Sequence, residues 1–323
     1  MDKALKISIR AEGGLGDCLL ANRFIPAIKE LYPNSEITAY TDSQGKTFQK
    51  EVLEMCYPSF YKEIKVIPNK KYKQFWVDCQ FGTDNYYGAL ENVPDNIRAE
   101  MEGFDKFYDL HIDSLKWIDY DFDWLRYHRF FPKPQINIEK PTNKYLLLHL
   151  VSSTYGPEKR LAGGHGLEQW YIDRLIALLL EKTDLTVKVI STPEINKFYE
   201  KFRNNQRVEV LNKNIKDLVT IIGGASVMIS VDSGFKYLSY GFGVPTLIFS
   251  THCAAPFKVI PSHQTRWLIF PETCFPLNFD CVFITNLASK IIKNKGYILV
   301  PEVTEFDRQC VRRIYTINNE KTN

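Results

Sequence analysis

Two stretches carry residue types able to do chemistry. Asp232-Ser233-Gly234 follows the apolar run Val227–Val231 and opens a stretch of small and aromatic residues. Gly243 and Pro245 close that stretch, and a second apolar run, Thr246–Phe249, begins at once. The pattern predicts a strand, a polar turn, a helix of about ten residues and a strand. Open α/β sheets bind ligands at the carboxyl ends of their strands, and a helix start there offers N–H groups and a positive dipole end to an anion. Asp and Ser are also favoured helix N-caps, so a purely local capping role stands beside the ligand role.

The second stretch lies near the N-terminus, where Gly13-Gly14-Leu15-Gly16-Asp17 follows the β-favouring run Ala4–Ile9. It admits two functional readings. Gly14-x-Gly16, with Asp42 near the end of the next strand, is a partial dinucleotide fingerprint with Leu19 where the third glycine belongs, and it would make an NAD-dependent oxidoreductase. In the other, Asp17 opens the helix as a general base, and Gly13, Gly14 and Gly16 let another molecule approach the backbone. Helix capping by Asp17 is the plain alternative to both.

These residues need strands and helices to hold them, and the chain alternates the two. Cys18–Tyr32 spaces Leu19, Leu20, Phe24, Ile25, Ile28 and Leu31 as one helix, ended by Pro33 and Asn34. Strands follow at Glu36–Tyr40 and Glu63–Ile67, with a helix carrying Phe48, Val52, Leu53 and Met55 between them. Lys70–Phe131 is dense in aromatics and includes an alternating strand-like piece, Phe107–Asp113; most of these rings pack a core, and a minority can line an acceptor site. Prolines at Pro132, Pro134 and Pro141 mark a linker.

A second domain opens with Tyr145–Val151, apolar enough for a central parallel strand. Leu167–Lys182 is an amphipathic helix whose stripe is Trp170, Ile172, Leu175, Ile176 and Leu179. Strands at Thr186–Ser191 and Val208–Leu211 and helices at Asn196–Phe202 and Leu218–Gly224 lead to the Asp232 turn, and Pro301–Tyr315 forms a terminal helix with Arg308, Arg312 and Arg313. The expected domains are 1–141, 142–300 and a C-terminal helix, 301–323, returning toward the first.

Composition narrows the classes. The chain has 323 residues, 45% hydrophobic and 24% charged, and a net charge of +3, which is too small to argue for nucleic acid by itself. Its seven cysteines include no C-x-x-C pair and its six histidines no H-E-x-x-H, so neither a disulfide framework nor a zinc site is expected. With no signal-peptide pattern and no apolar run long enough to span a bilayer, a cytoplasmic protein is expected.

Gly13-Gly14-Leu15-Gly16-Asp17-Cys18-Leu19-Leu20, then Pro26-Ala27-Ile28-Lys29 and Tyr32-Pro33, resembles the N-terminus of the heptosyltransferase-like glycosyltransferases. Asp232-Ser233-Gly234 resembles the D-[ST]-G phosphate-binding turn of the same family, in the same order along the chain. The resemblance implies an α/β chain of GT-B architecture, two Rossmann-like domains facing across a cleft. It implies an inverting, metal-independent transferase with no cofactor, whose co-substrate is a nucleotide-diphosphate sugar. Asp17 would be the base, and Ser152, Ser153, Lys159, Arg160, Asp232, Ser233, Gly234 and Lys236 would hold the donor's phosphates. Glu194 would hold the donor's ribose, a carboxylate suiting a vicinal diol. The family's histidine three residues after the turn's glycine is Tyr237 here, leaving Lys236 to supply the charge. The acceptor implied is a cell-surface glycan or lipid-linked lipopolysaccharide precursor, reached from the inner face of the membrane. A modified base in DNA is the rival acceptor, an NAD-dependent oxidoreductase the rival enzyme, and a catalytically inactive binding protein the rival outside catalysis.

Overall fold

The computed structural model describes residues 4–11, 14–42, 47–67, 93–110, 131–151, 166–167, 169–231, 233–250, 265–269 and 281–293. The chain forms two units, Met1–Asn137 and Ile138–Asn323. Ile138–Pro141, expected at the end of the first domain, goes with the second unit because it packs there, as shown below.

In the first unit, strands β1 (Lys6–Arg10), β2 (Glu36–Asp42), β3 (Glu63–Ile67) and β4 (Lys106–Asp109) form one sheet in the order β3-β2-β1-β4. Every pairing is parallel. The chain steps outward from β1 to β3 and returns to the other side of β1 with β4, so the strand order reverses between β1 and β4. Helices α1 (Leu15–Ala21), α2 (Ile25–Leu31), α3 (Phe48–Cys56) and α4 (Asp95–Glu102) connect these strands.

The single helix expected over Cys18–Tyr32 is two helices joined by a 3-10 turn, Asn22–Phe24. Pro26 is the cause: it has no N–H to donate and its ring collides with the carbonyl four residues back, so it begins a helix instead of continuing one. Leu31, expected on the buried stripe, is 45% exposed. At the carboxyl end of β1, the fully buried Arg10 donates to Asp109 on β4 at 3.2 Å, the two residues facing each other in register.

The second unit holds β5 (Tyr145–His149), α5 (Gln169–Lys182), β6 (Thr186–Ile190), β7 (Val208–Leu211), α6 (Ile215–Gly224), β8 (Val227–Val231), α7 (Phe235–Gly241), β9 (Thr246–Ser250), β10 (Thr265–Ile269) and α8 (Cys281–Lys293). Its sheet runs β10-β9-β8-β5-β6-β7 with every pairing parallel. That is the doubly wound order, reversing between β5 and β8. Both of those strands are buried at all five positions, as central parallel strands must be.

Helix α5 buries Tyr171, Ile172, Leu175, Ile176 and Leu179 against the core. Trp170, expected on that stripe, is 50% exposed, and Tyr171 takes its place. The α5 C-terminus is closed from outside the helix. Arg207 donates to the carbonyls of Leu180 at 2.8 Å and Leu185 at 3.0 Å, and also to that of Thr183. Asn196–Phe202 is a 3-10 segment burying Tyr199 and Phe202, three residues apart as one turn of that helix requires.

Helix α6 starts on Asn214, whose side chain accepts from the Asp217 amide at 2.9 Å, and ends on a glycine pair used for close approach. A Cβ on Gly223 would sit 2.3 Å from Ile138 Cδ1, and one on Gly224 2.8 Å from the Tyr145 hydroxyl and 3.3 Å from Pro141 Cδ. Lys140 donates to the Gly223 carbonyl at 2.7 Å, so the last part of the expected linker lies against the end of α6. Gly243, at φ 66°, makes the left-handed turn that releases α7 toward β9.

Lys70–Phe131, apart from 93–110 and Phe131 itself, and the expected terminal helix at Pro301–Tyr315 lie outside the described residues. No helix among the described residues is long and apolar enough to cross a membrane.

Candidate functional site

The chemistry-bearing residues collect at the carboxyl ends of the strands, next to the order reversal of each sheet. In the first unit, β1 ends at Arg10, and the amide of the next residue, Ala11, donates to the Tyr40 carbonyl on β2 at 2.9 Å. Gly14 then takes the extended conformation that precedes α1.

Asp17 is the third residue of α1 rather than its first. Its Oδ2 accepts from the Gly14 amide at 2.9 Å, while its own amide and that of Cys18 donate to the Gly14 carbonyl at 3.0 and 3.1 Å. The capping geometry is thus realised at one carboxylate oxygen, which fixes where the half-buried carboxylate stands. Neither the backbone nor packing among the described residues demands glycine at position 14. Its φ of −72° and ψ of 171° suit any residue, and among the described residues an added Cβ would meet only Asp17 Oδ2, at an ordinary 3.5 Å. A glycine that these surroundings do not need is one a bound molecule can need. Gly16 is half-buried within the first turn of α1, and Gly13 lies outside the described residues.

In the second unit, the Asp232 turn joins β8 to α7, a helix of seven residues rather than about ten. Gly234 is its N-cap and Ser233 is half-buried; Asp232 lies outside the described residues. Lys236 is buried to 1% exposure, with Nζ 4.5 Å from the centre of the Tyr237 ring. Its backbone is held twice: the amide donates to the Ser233 carbonyl at 3.3 Å, and its carbonyl accepts from Ser239 Oγ at 2.7 Å. Thr246 Oγ1 on β9 is 2.7 Å from the same Ser239 oxygen, so α7 is tied to the neighbouring strand by buried hydroxyls.

The structure also brings in a residue that sequence reasoning missed. His149, the last residue of β5, is 5% exposed and places Nδ1 3.0 Å from Ser233 Oγ and 3.5 Å from Ser230 Oγ. Its ring stands edge-on to Phe235, with centroids 5.0 Å apart. The imidazole therefore bridges the order reversal from β5 to the turn after β8.

Glu194 is exposed on the turn that follows β6, one strand beyond β5. Ser152, Ser153, Lys159 and Arg160, the remaining expected donor contacts, lie outside the described residues. Among the described residues, no three His, Cys, Asp or Glu side chains gather as a metal would require.

Two parallel α/β units, with polar turns beside each order reversal, define the two-domain Rossmann-like class of fold. No protein-family profile matches the chain, and no curated protein matches it in sequence. Solved structures do match it in fold. Heptosyltransferase II of E. coli, an ADP-heptose lipopolysaccharide heptosyltransferase, aligns over 90% of this chain and 99% of its own, with TM-score 0.64 and 11% identity. E. coli heptosyltransferase WaaC with ADP aligns over 90% of this chain and all of its own, with TM-score 0.59 and 13% identity. A glycosyl transferase family 9 protein of Veillonella parvula covers 99% of both chains, with TM-score 0.53 and 14% identity. The fold expected from the two motifs is the fold these proteins share.

Proposed function

We propose that the protein is an inverting glycosyltransferase taking its sugar from a nucleotide-diphosphate sugar, with no metal ion in the reaction. One observation carries this reading: the Ser233 turn stands at the carboxyl end of β8, beside the order reversal of a doubly wound sheet with six described strands. Doubly wound sheets bind nucleotides at that place, and the fold neighbours include an enzyme solved with ADP.

The second unit takes the donor. Asp232, Ser233 and Gly234 contact its diphosphate, with Ser152, Ser153, Lys159 and Arg160 after β5 and Lys236 supplying positive charge, and Glu194 takes the ribose hydroxyls. The first unit takes the acceptor over the glycine loop. Asp17 removes the proton from an acceptor hydroxyl, whose oxygen attacks the anomeric carbon from the face opposite the diphosphate. The new C–O bond forms as the bond to the diphosphate breaks, and the electron pair leaves with the nucleoside diphosphate. Cationic side chains and turn amides stabilise the charge that develops there. The acceptor is a cell-surface glycan or lipopolysaccharide precursor, met at the inner face of the membrane.

The test is a thermal-shift screen of the purified protein against ADP-, UDP-, GDP- and CMP-sugars and NAD, without added metal. One nucleotide-diphosphate sugar should stabilise the protein, and Asp232→Ala should abolish that shift. Asp17→Asn should keep the shift and lower transfer by about 100-fold or more. Stabilisation by NAD alone would overturn the transferase reading.

A further inference from the structure

We propose that His149 is a positioning residue that turns the Ser233 hydroxyl outward as a hydrogen-bond donor to an anionic oxygen of a nucleoside diphosphate. The inference rests on the donor-site reading above and goes beyond it, because it fixes the polarity of the turn and the residue that sets it.

The argument follows the protons. Parallel pairing of β5 with β8 puts His149 opposite Ser230 in register, and the turn brings Ser233 Oγ back to within 3.0 Å of the imidazole Nδ1. Ser230 has a single hydroxyl proton, and it goes to the Val231 carbonyl at 2.7 Å. Toward His149, 3.5 Å away, the Ser230 oxygen can therefore only accept.

A proton on Nδ1 satisfies both contacts, shared between Ser233 Oγ and, more weakly, Ser230 Oγ. A bare Nδ1 would instead face the lone pairs of Ser230 and draw the Ser233 proton inward. Of the two neutral tautomers, Nδ1–H is the one that satisfies both of these contacts. Once Ser233 Oγ accepts from Nδ1–H, its own proton points away from the histidine. A hydroxyl held this way donates to phosphate, in the charge-assisted class of hydrogen bond. The reverse polarity would present lone pairs to an anion and repel it. The edge-on Phe235 ring, 5.0 Å away, packs beside the imidazole.

Two measurements decide it. Long-range 1H–15N correlation spectra of the full chain, with His149 assigned by its loss in His149→Phe, should show a proton on Nδ1; an Nε2–H ring with bare Nδ1 overturns the inference. Calorimetric titration with ADP, UDP, GDP and CDP then reads the coupling. Ser233→Ala and His149→Phe should each weaken binding of the nucleotide that wild type prefers by about tenfold or more, and the double variant should lose no more than either one. His149→Asn, whose amide can donate from near the Nδ1 position, should recover most of the loss. Strictly additive losses, or full binding by His149→Phe while Ser233→Ala is weakened, overturn the positioning role and leave the donor site standing. A wild-type protein that binds none of the four overturns both readings together.

Discussion

Gly224→Ala should destabilise the second unit even though alanine is the better helix former. Gly224 is the last residue of α6, and an added methyl would lie 2.8 Å from the Tyr145 hydroxyl oxygen and 3.3 Å from Pro141 Cδ. The hydroxyl cannot yield alone. It sits at the end of a rigid, buried ring that carries Lys188 Nζ 4.7 Å over its face, and it donates to the Ile221 carbonyl. Helix propensity favours alanine by at most about 1 kcal/mol, and by less at a helix end. Against that stand overpacking, about 1–3 kcal/mol, and a weakened buried hydrogen bond, about 1 kcal/mol. The net expectation is a loss of about 1–3 kcal/mol. Tyr145→Phe alone should cost about 1 kcal/mol by depriving the Ile221 carbonyl of this donor. In that background the oxygen met by the methyl is gone, so Gly224→Ala should come within about 1 kcal/mol of neutral, a coupling of about 1–2 kcal/mol. Two units need not unfold together, so the assay is urea-dependent hydrogen exchange of peptides covering β5 and α6. A loss of 2 kcal/mol moves the midpoint by about 1 M at a slope near 2 kcal/mol/M. An equal effect of Gly224→Ala in both backgrounds, or stabilisation by it alone, would refute the reasoning.

Other perturbations probe other links. Arg207→Lys replaces a fork that reaches one carbonyl in the last turn of α5 and two just beyond it with a single point charge, and should cost about 2 kcal/mol, read as faster exchange in the last turn of α5. Burial pushes the Cys56 thiol from 9.0 up to about 12. The folded protein keeps that proton where the unfolded chain releases it, so this contribution is whole below about pH 9 and declines toward 12 at about 1.4 kcal/mol per pH unit. Between pH 8 and 10, wild type should therefore lose about 1.4 kcal/mol more than Cys56→Ala in urea titrations of the first unit; parallel slopes would discount the thiol. Gly14→Ala fits the local backbone and should leave the melting temperature within about 2 °C while lowering transfer in the glycosyltransferase assay. An equally active variant would remove the case for close approach at that loop.

Local patterns made much of this fold legible. Val227–Val231, the turn, Gly243 and Thr246 onward could be read in order because each carries its own period or backbone demand, and Gly243 does adopt positive φ. The split of the first helix was written in Pro26, which a reading by apolar spacing alone passes over. Trp170 was misplaced although the helix gave notice: the residue four positions on is Arg174, whereas four and eight positions beyond Tyr171 are Leu175 and Leu179. His149 is a different case. A lone histidine ending an apolar run reads as core, and nothing near it announces a serine 84 positions later. It becomes visible only once β5 and β8 are known to be neighbours, because then the final residue of one strand faces the approach to the turn of the other.

The Arg10–Asp109 pair also serves the chain before any ligand arrives. β4 has four residues, is the last of the described strands on its side of β1, and reaches its place only after a long excursion from β3. So short a strand specifies its alignment weakly, and sliding it by one residue would turn every side chain to the opposite face. In a slipped arrangement the position across from the buried guanidinium would fall to Tyr108 or Leu110, and a charge with zero exposure would face a neighbour unable to match it. The pair thus acts as an address, accepting one docking of the late-arriving strand and penalising its near misses.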